Sequence, residues 1–211
     1  MPLWAQIIIG LFAIAVVYSL VGPWLTERRY RRRFRAIAQA FGQAPTKRPN
    51  DVEGFTADVG SRRFDVRREY KGGGGRIGTY RGPRGHLLIT ETALRGSGWS
   101  MHQIDICQAD KRVWHPSAKR SLTGDTAFDS RFLVVEDGLS VRNGWLDGPT
   151  RVAVARFFEA VPLAGPIWIR EGRMAYLMQS WKDVEGGAIR SLMEQQSALA
   201  DALGRTAGHP D

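Results

Sequence analysis

LWAQIIIGLFAIAVVYSLVG, residues 3–22, runs for twenty positions without a charged side chain, and its reading decides the architecture of the chain. As a helix it covers about 30 Å, at about 1.5 Å per residue, which matches the hydrocarbon thickness of a bilayer. Ile7, Ile8, Ile9, Leu11, Phe12, Ile14, Val16 and Val17 supply the apolar surface. Trp4 and Trp24 bracket the run at the two depths where an indole prefers the headgroup region, and Pro23 marks its expected end. No Lys or Arg precedes it, as the basic start of a cleavable signal peptide would require. The sequence therefore predicts a retained single span, with residues 1–24 as a transmembrane anchor.

Immediately after the run come six arginines within eight positions: Arg28, Arg29, Arg31, Arg32, Arg33 and Arg35. Basic residues stay on the cytoplasmic side of a span, so the N-terminus is expected outside and everything after residue 24 inside. The net charge of +9 is concentrated here. With these six and Glu27 set aside, 24 of the 30 basic and 20 of the 21 acidic residues remain. Much of the surplus thus sits beside an anionic lipid surface, which weakens any reading of the charge as a nucleic-acid footprint. The six arginines with Trp4 and Trp24 are the candidate membrane-surface residues, and anionic headgroups the expected partner.

Within residues 25–42, Tyr30, Phe34, Ile37, Ala38 and Phe41 recur at helical spacing, and Gly42 is a natural stop. The arginines fall mostly off this apolar face. Two readings stay open: a basic amphipathic juxtamembrane helix lying in the interface with its aromatics down, or a stripe packed on the domain with the arginines fixing topology. Residues 43–52, with Pro45 and Pro49, read as a linker. Residues 53–204 then form one cytoplasmic domain, large enough for a substantial core, and 205–211 a flexible tail.

Inside the domain, short β-rich segments separated by glycines predict an α+β fold with a mainly antiparallel sheet. Strands are expected at 54–59, 63–70, 77–81, 86–93, 99–107, 132–136, 166–170 and 174–179. Phe64, Val66 and Arg68 alternate with Arg63, Asp65 and Arg67, one face buried and one wet. Helices are expected at 149–161, opened by Pro149, and at 183–203, where Ile189, Leu192, Met193, Leu199 and Leu203 form a stripe. Residues 108–129 show no firm periodicity and read as a long loop or hairpin.

Chemical motifs are few. The glycine-rich run at 72–82 lacks the Gly-Lys-Ser/Thr of a phosphate loop, which makes it a hairpin. His86, His102 and His115 are too widely spaced for a local metal site, and the lone Cys107 allows neither a zinc knuckle nor an intrachain disulfide. Cys107 shares a strand face with Asp105, so a nucleophile beside His102 is conceivable, with an inert thiol the plainer reading. Trp99, Trp114, Trp145, Trp168 and Trp181 among arginines could stack bases, yet such aromatics ordinarily serve as core or partner anchors. No cofactor, metal or nucleic acid is expected.

The order of Gly78-Thr79-Tyr80-Arg81-Gly82, then Phe128-Asp129-Ser130-Arg131-Phe132-Leu133-Val134, then a helix and the hairpin Ile167 to Met174, resembles uncharacterised membrane-anchored bacterial proteins. The resemblance implies a bacterial inner-membrane location and transfers no activity and no functional residue. In the residues themselves, Phe128 and Phe132 read as the start of a core strand, with Asp129 and Arg131 a local ion pair. The expected function is a single-pass membrane protein whose cytoplasmic domain is a non-catalytic protein-interaction or sensory module with an unidentified protein partner. The alternative is a membrane-tethered enzyme, which would need a deep pocket uniting His102, Asp105 and Cys107.

Overall fold

Helix α1 (Leu3–Ala40) is uninterrupted for 38 residues, about 57 Å at 1.5 Å per residue. It belongs to a computed structural model that describes residues 2–48, 52–71, 76–77, 80–81, 85–95, 103–109, 120–137, 146–161, 165–179 and 181–206. The expected break at Pro23 does not occur, and α1 passes through it. Proline removes only the bond from its own nitrogen to the carbonyl of Ser19. The hydroxyls on either side of it bond back to other carbonyls of the helix. Thr26 Oγ1 donates to the Gly22 carbonyl at 2.9 Å and Ser19 Oγ to that of Val16 at 2.8 Å. The helix stops where the sequence placed its end. Gly42 takes φ +68°, and the amides of Gly42 and Gln43 donate to the carbonyls of Gln39 and Ala38, the left-handed glycine cap that satisfies a helix C-terminus.

Just past that cap, Thr46–Lys47 (β1) pairs with Glu53 and Gly54, so part of the expected linker is an edge strand. It opens an antiparallel nine-stranded sheet built from β2 (Glu53–Val59), β3 (Arg62–Lys71), β6 (Gly85–Ala93), β7 (Gln103–Gln108), β8 (Arg120–Ser121), β9 (Phe132–Asp137), β10 (Ile167–Arg170) and β11 (Arg173–Met178). Strands β4 (Arg76–Ile77) and β5 (Tyr80–Arg81) pair separately as a small hairpin. The order is β1-β2-β3-β6-β11-β10-β7-β9-β8. Glu171 and Gly172 both have positive φ between β10 and β11, the two-residue turn whose twist suits a hairpin.

Pleating sends alternate residues to one face. Phe55, Phe64, Val66, Leu88, Ile104, Ile106, Val134, Ile167, Ile169, Met174, Tyr176 and Met178 line it, all buried. Three helices cover this face: the second half of α1, α3 (Gly148–Ala160) and α4 (Gly186–Thr206). From α1 come Phe34, Ile37 and Ala38, each at 0% exposure; from α3 come Val154, Phe157 and Phe158; from α4 come Ile189, Leu192, Met193, Leu199 and Leu203. Gly186 brings α4 against α1 closely enough that a Cβ there would lie 2.4 Å from that of Ala40. Gln196 of α4 ties the layers together, accepting from Thr90 Oγ1 at 2.7 Å and donating to the carbonyls of Thr90 and Met174. The chain is thus α+β, a long apolar N-terminal helix followed by an antiparallel sheet and further helices.

A further stretch differs from expectation. Thr126–Arg131 (α2) is a helix, with Asp125 capping the amides of Ala127 and Phe128, so Phe128 packs from a helix and only Phe132 starts the strand. Asp129 and Arg131 do not pair with each other: Asp129 accepts from Thr123, and Arg131 reaches Glu159 at 2.7 Å. Six residues are too few for a legible period.

Candidate functional site

The first half of α1 exposes its apolar side chains: Ile7, Ile8, Ile9, Leu11, Phe12, Ile14 and Val17 are between 54% and 71% exposed, and Trp4 and Trp24 stand out at 65% and 57%. The helix is long and apolar enough to cross a membrane. Its second half is different. Phe34 and Ile37 are fully buried and Tyr30 and Phe41 pack against the same core, so the stripe packs on the domain. The alternative, with these aromatics laid into the lipid interface, fails because they are already occupied.

The junction between the two halves is built on Glu27, the one carboxylate in the basic stretch. Arg68 of β3 grips it with both terminal nitrogens, at 3.0 and 2.9 Å, and donates through Nε to Glu53 at 3.1 Å. Its side chain is 5% exposed. Arg31 donates to Glu27 at 2.6 Å from the next helical turn. Burial pushes the Glu27 carboxyl up, but the guanidinium groups of Arg68 and Arg31 more than offset this and hold it at about 2. Beside it His86 lies 3.3 Å from Arg68 Nη1 and stacks on Tyr30, with ring centroids 3.9 Å apart. Burial lowers the His86 pKa, Glu27 pulls it back up and Arg68 pushes it down, leaving it below the usual histidine value. Trp181, on the 3-10 turn Trp181–Asp183, donates to the His86 carbonyl at 3.1 Å and packs on Tyr30 and Phe34. This cluster fastens the helix to the sheet just beyond its apolar half.

Around that fastening the six arginines divide. Arg28 lies over the Trp24 ring at 5.2 Å, Arg31 serves Glu27, and Arg35 shares their side of the helix at i, i+3 and i+7. Arg29 and Arg33, a turn apart, fall on another side; with Arg32, which lies between the two sides at i+4 from Arg28, and with Ala36, Lys182 and Asp183, they line an open niche of about 530 Å³. Arg33 Nε is buried without a partner. Lys182 was not singled out in the sequence, because only the packing of Trp181 on α1 brings it there.

Other candidates are buried where described. Asp105 and Cys107 share the sheet face opposite the helices, both buried. Asp105 accepts from Arg170 at 3.0 Å, and that guanidinium lies 4.6 Å from the Trp168 ring. Cys107 Sγ lies 3.3 Å from the Gln108 carbonyl oxygen. Trp168 and Trp181 are both buried. His102, His115, Trp99, Trp114, Trp145 and Gly72 to Gly75 lie outside the described residues. Among the described residues no three His, Cys, Asp or Glu side chains gather as a metal site would require.

No family model matches the sequence, and no curated protein matches it. Among solved structures, the crystal structure of the mycobacterial trehalose monomycolate transport factor A (TtfA) is similar in fold. The TM-score is 0.53 at 10% identity, over 85% of this chain and 97% of that one. At that identity the likeness concerns the fold alone.

Proposed function

We propose that α1 crosses the bacterial cytoplasmic membrane once, with its N-terminus outside, and holds a cytoplasmic non-catalytic interaction or sensory module in a set orientation to the bilayer. The observation that carries this reading is the continuity of α1. One helix runs from an exposed apolar half that fits a bilayer to a half whose Phe34 and Ile37 are core residues. A tether meant only to keep an enzyme nearby has no need of a buried, ion-paired attachment. The six arginines after the apolar run support the orientation. The similar fold belongs to a transport factor, and by that analogy the module presents a surface to a protein partner rather than performing a reaction.

Cysteine labelling tests the arrangement, since the single native thiol, Cys107, is buried. In a Cys107→Ala background, a membrane-impermeant maleimide should reach Trp4→Cys in intact spheroplasts. It should reach Ala160→Cys, at the exposed end of α3, only after permeabilisation. Labelling of Ala160→Cys in sealed spheroplasts would overturn the orientation.

A further inference from the structure

We propose that the niche between α1 and the Trp181–Asp183 turn is a discrete site for the phosphate of an anionic glycerophospholipid headgroup in the cytoplasmic leaflet. The inference rests on the membrane reading above and adds a particular pocket and a domain residue to it.

The niche collects like charge from two elements distant in sequence. Arg29, Arg32 and Arg33 come from α1 and Lys182 from the 3-10 turn, against one carboxylate, Asp183. The Asp183 side chain is 84% exposed and lies 3.9 Å from Lys182 Nζ. Four cations against this one paired carboxylate leave the hollow with a surplus of positive charge that favours a further anion. Arg33 sharpens the point. Its Nε is buried with no acceptor, and a desolvated charged donor without an acceptor is costly. Among the described residues Arg29 and Arg32 form no ion pair, whereas Arg31 and Arg28 are engaged elsewhere. The belt is therefore not uniform. Arg28 and Arg31 are used within the protein, whereas Arg29 and Arg33 face the open niche.

Height along the helix fits a headgroup. Arg29 and Arg33 lie about 10 and 16 Å beyond Gly22 at 1.5 Å per residue. Each Cα–Cβ bond in a helix leans toward the N-terminus, here toward the apolar half, so these long side chains reach back to the level where phosphates lie. Lys182 is held at the same level because Trp181 packs on Tyr30 and Phe34. Guanidinium forks match phosphate oxygens, and a lysine adds a point charge. A free phosphate offers the same oxygens, but a lipid also meets the apolar flank of α1, which leads from the niche into the bilayer.

The test uses the full chain purified in mild detergent, with phosphatidylglycerol or phosphatidylcholine added and lipid retention counted by native mass spectrometry. Phosphatidylglycerol should be retained in preference to phosphatidylcholine. Lys182→Gln should lower its retention about fivefold, the value of one basic residue at an anionic surface, and Arg33→Gln at least as much. Arg35→Gln, which removes the same charge from a residue that does not line the niche, should leave it within about twofold on that scale. Millimolar inorganic phosphate should not displace the lipid. Equal losses from Lys182→Gln and Arg35→Gln would mean a diffuse belt and overturn the site, as would equal retention of the two lipids. Displacement by inorganic phosphate would reassign it to a soluble anion. Lys182 is exposed, so an unchanged melting temperature for its variant verifies folding. Retention in detergent is blind to orientation, so failure here leaves the labelling result standing, and the reverse.

Discussion

Replacing Glu27 with Gln removes one charge from the attachment of α1 to the sheet while keeping the shape of the side chain. In the folded protein the Glu27 carboxyl is lowered from 4.5 to about 2. That difference, at 1.36 kcal/mol per pH unit, is worth about 3 kcal/mol for a fully shielded group. Glu27 is 32% exposed, and solvent screening cuts the value to about 1.5 kcal/mol. Because the folded pKa is the depressed one, the stabilisation is complete above pH 4.5 and is lost as pH falls toward 2. For a domain of this size the variant should melt about 3–6 °C below the parent at pH 7. At pH 2.5 the gap should nearly close, since the parent's own carboxyl is then largely protonated on unfolding. Thermal melts of the full chain in detergent, followed by circular dichroism, measure both values. A gap as large at pH 2.5 as at pH 7 would refute the electrostatic account, and no gap at pH 7 would show that Arg68 is satisfied by Glu53 alone.

Gln196→Leu should lower the melting temperature by about 4–8 °C, because the Thr90 hydroxyl loses its buried acceptor and two carbonyls lose a donor, at roughly 2 kcal/mol in all; an unchanged melt would mean those groups find other partners. Gly186→Ala should destabilise by about 1–3 kcal/mol through overpacking against the Ala40 methyl. Adding Ala40→Gly should bring the protein back toward the parent in the same melts, and a double variant worse than Gly186→Ala would place the clash elsewhere.

Much of the architecture is legible in local pattern. The alternation of Phe64, Val66 and Arg68 gives the buried face of β3, and the Ile189 to Leu203 stripe gives α4, because each depends only on neighbours along one element. The attachment is not legible in this way. Arg68 falls on the buried side of its strand, and nothing nearby in sequence says why; its partner Glu27 is 41 residues away. The clue was that Glu27 is the lone acid among arginines, a residue with no topological use and so one with a structural task. Proline gave the opposite error. Pro23 reads as punctuation because soluble helices rarely hold one inside, whereas an apolar helix loses a single bond to it and continues. The niche lay further out of reach, since Lys182 joins the arginines only through tertiary packing.

Having no joint between its apolar half and the core makes α1 a lever. With α1 crossing a bilayer as proposed, the average tilt of about 20° for such helices would carry a point about 40 Å from the pivot sideways by about 14 Å. A rotation of the apolar half equal to one residue of helix would swing the sheet about 100° around the same axis. Small changes in the setting of the apolar half would therefore arrive at the far side of the domain as large displacements of its surface. The same rigidity runs in reverse: a force on the sheet would be passed directly to the apolar half.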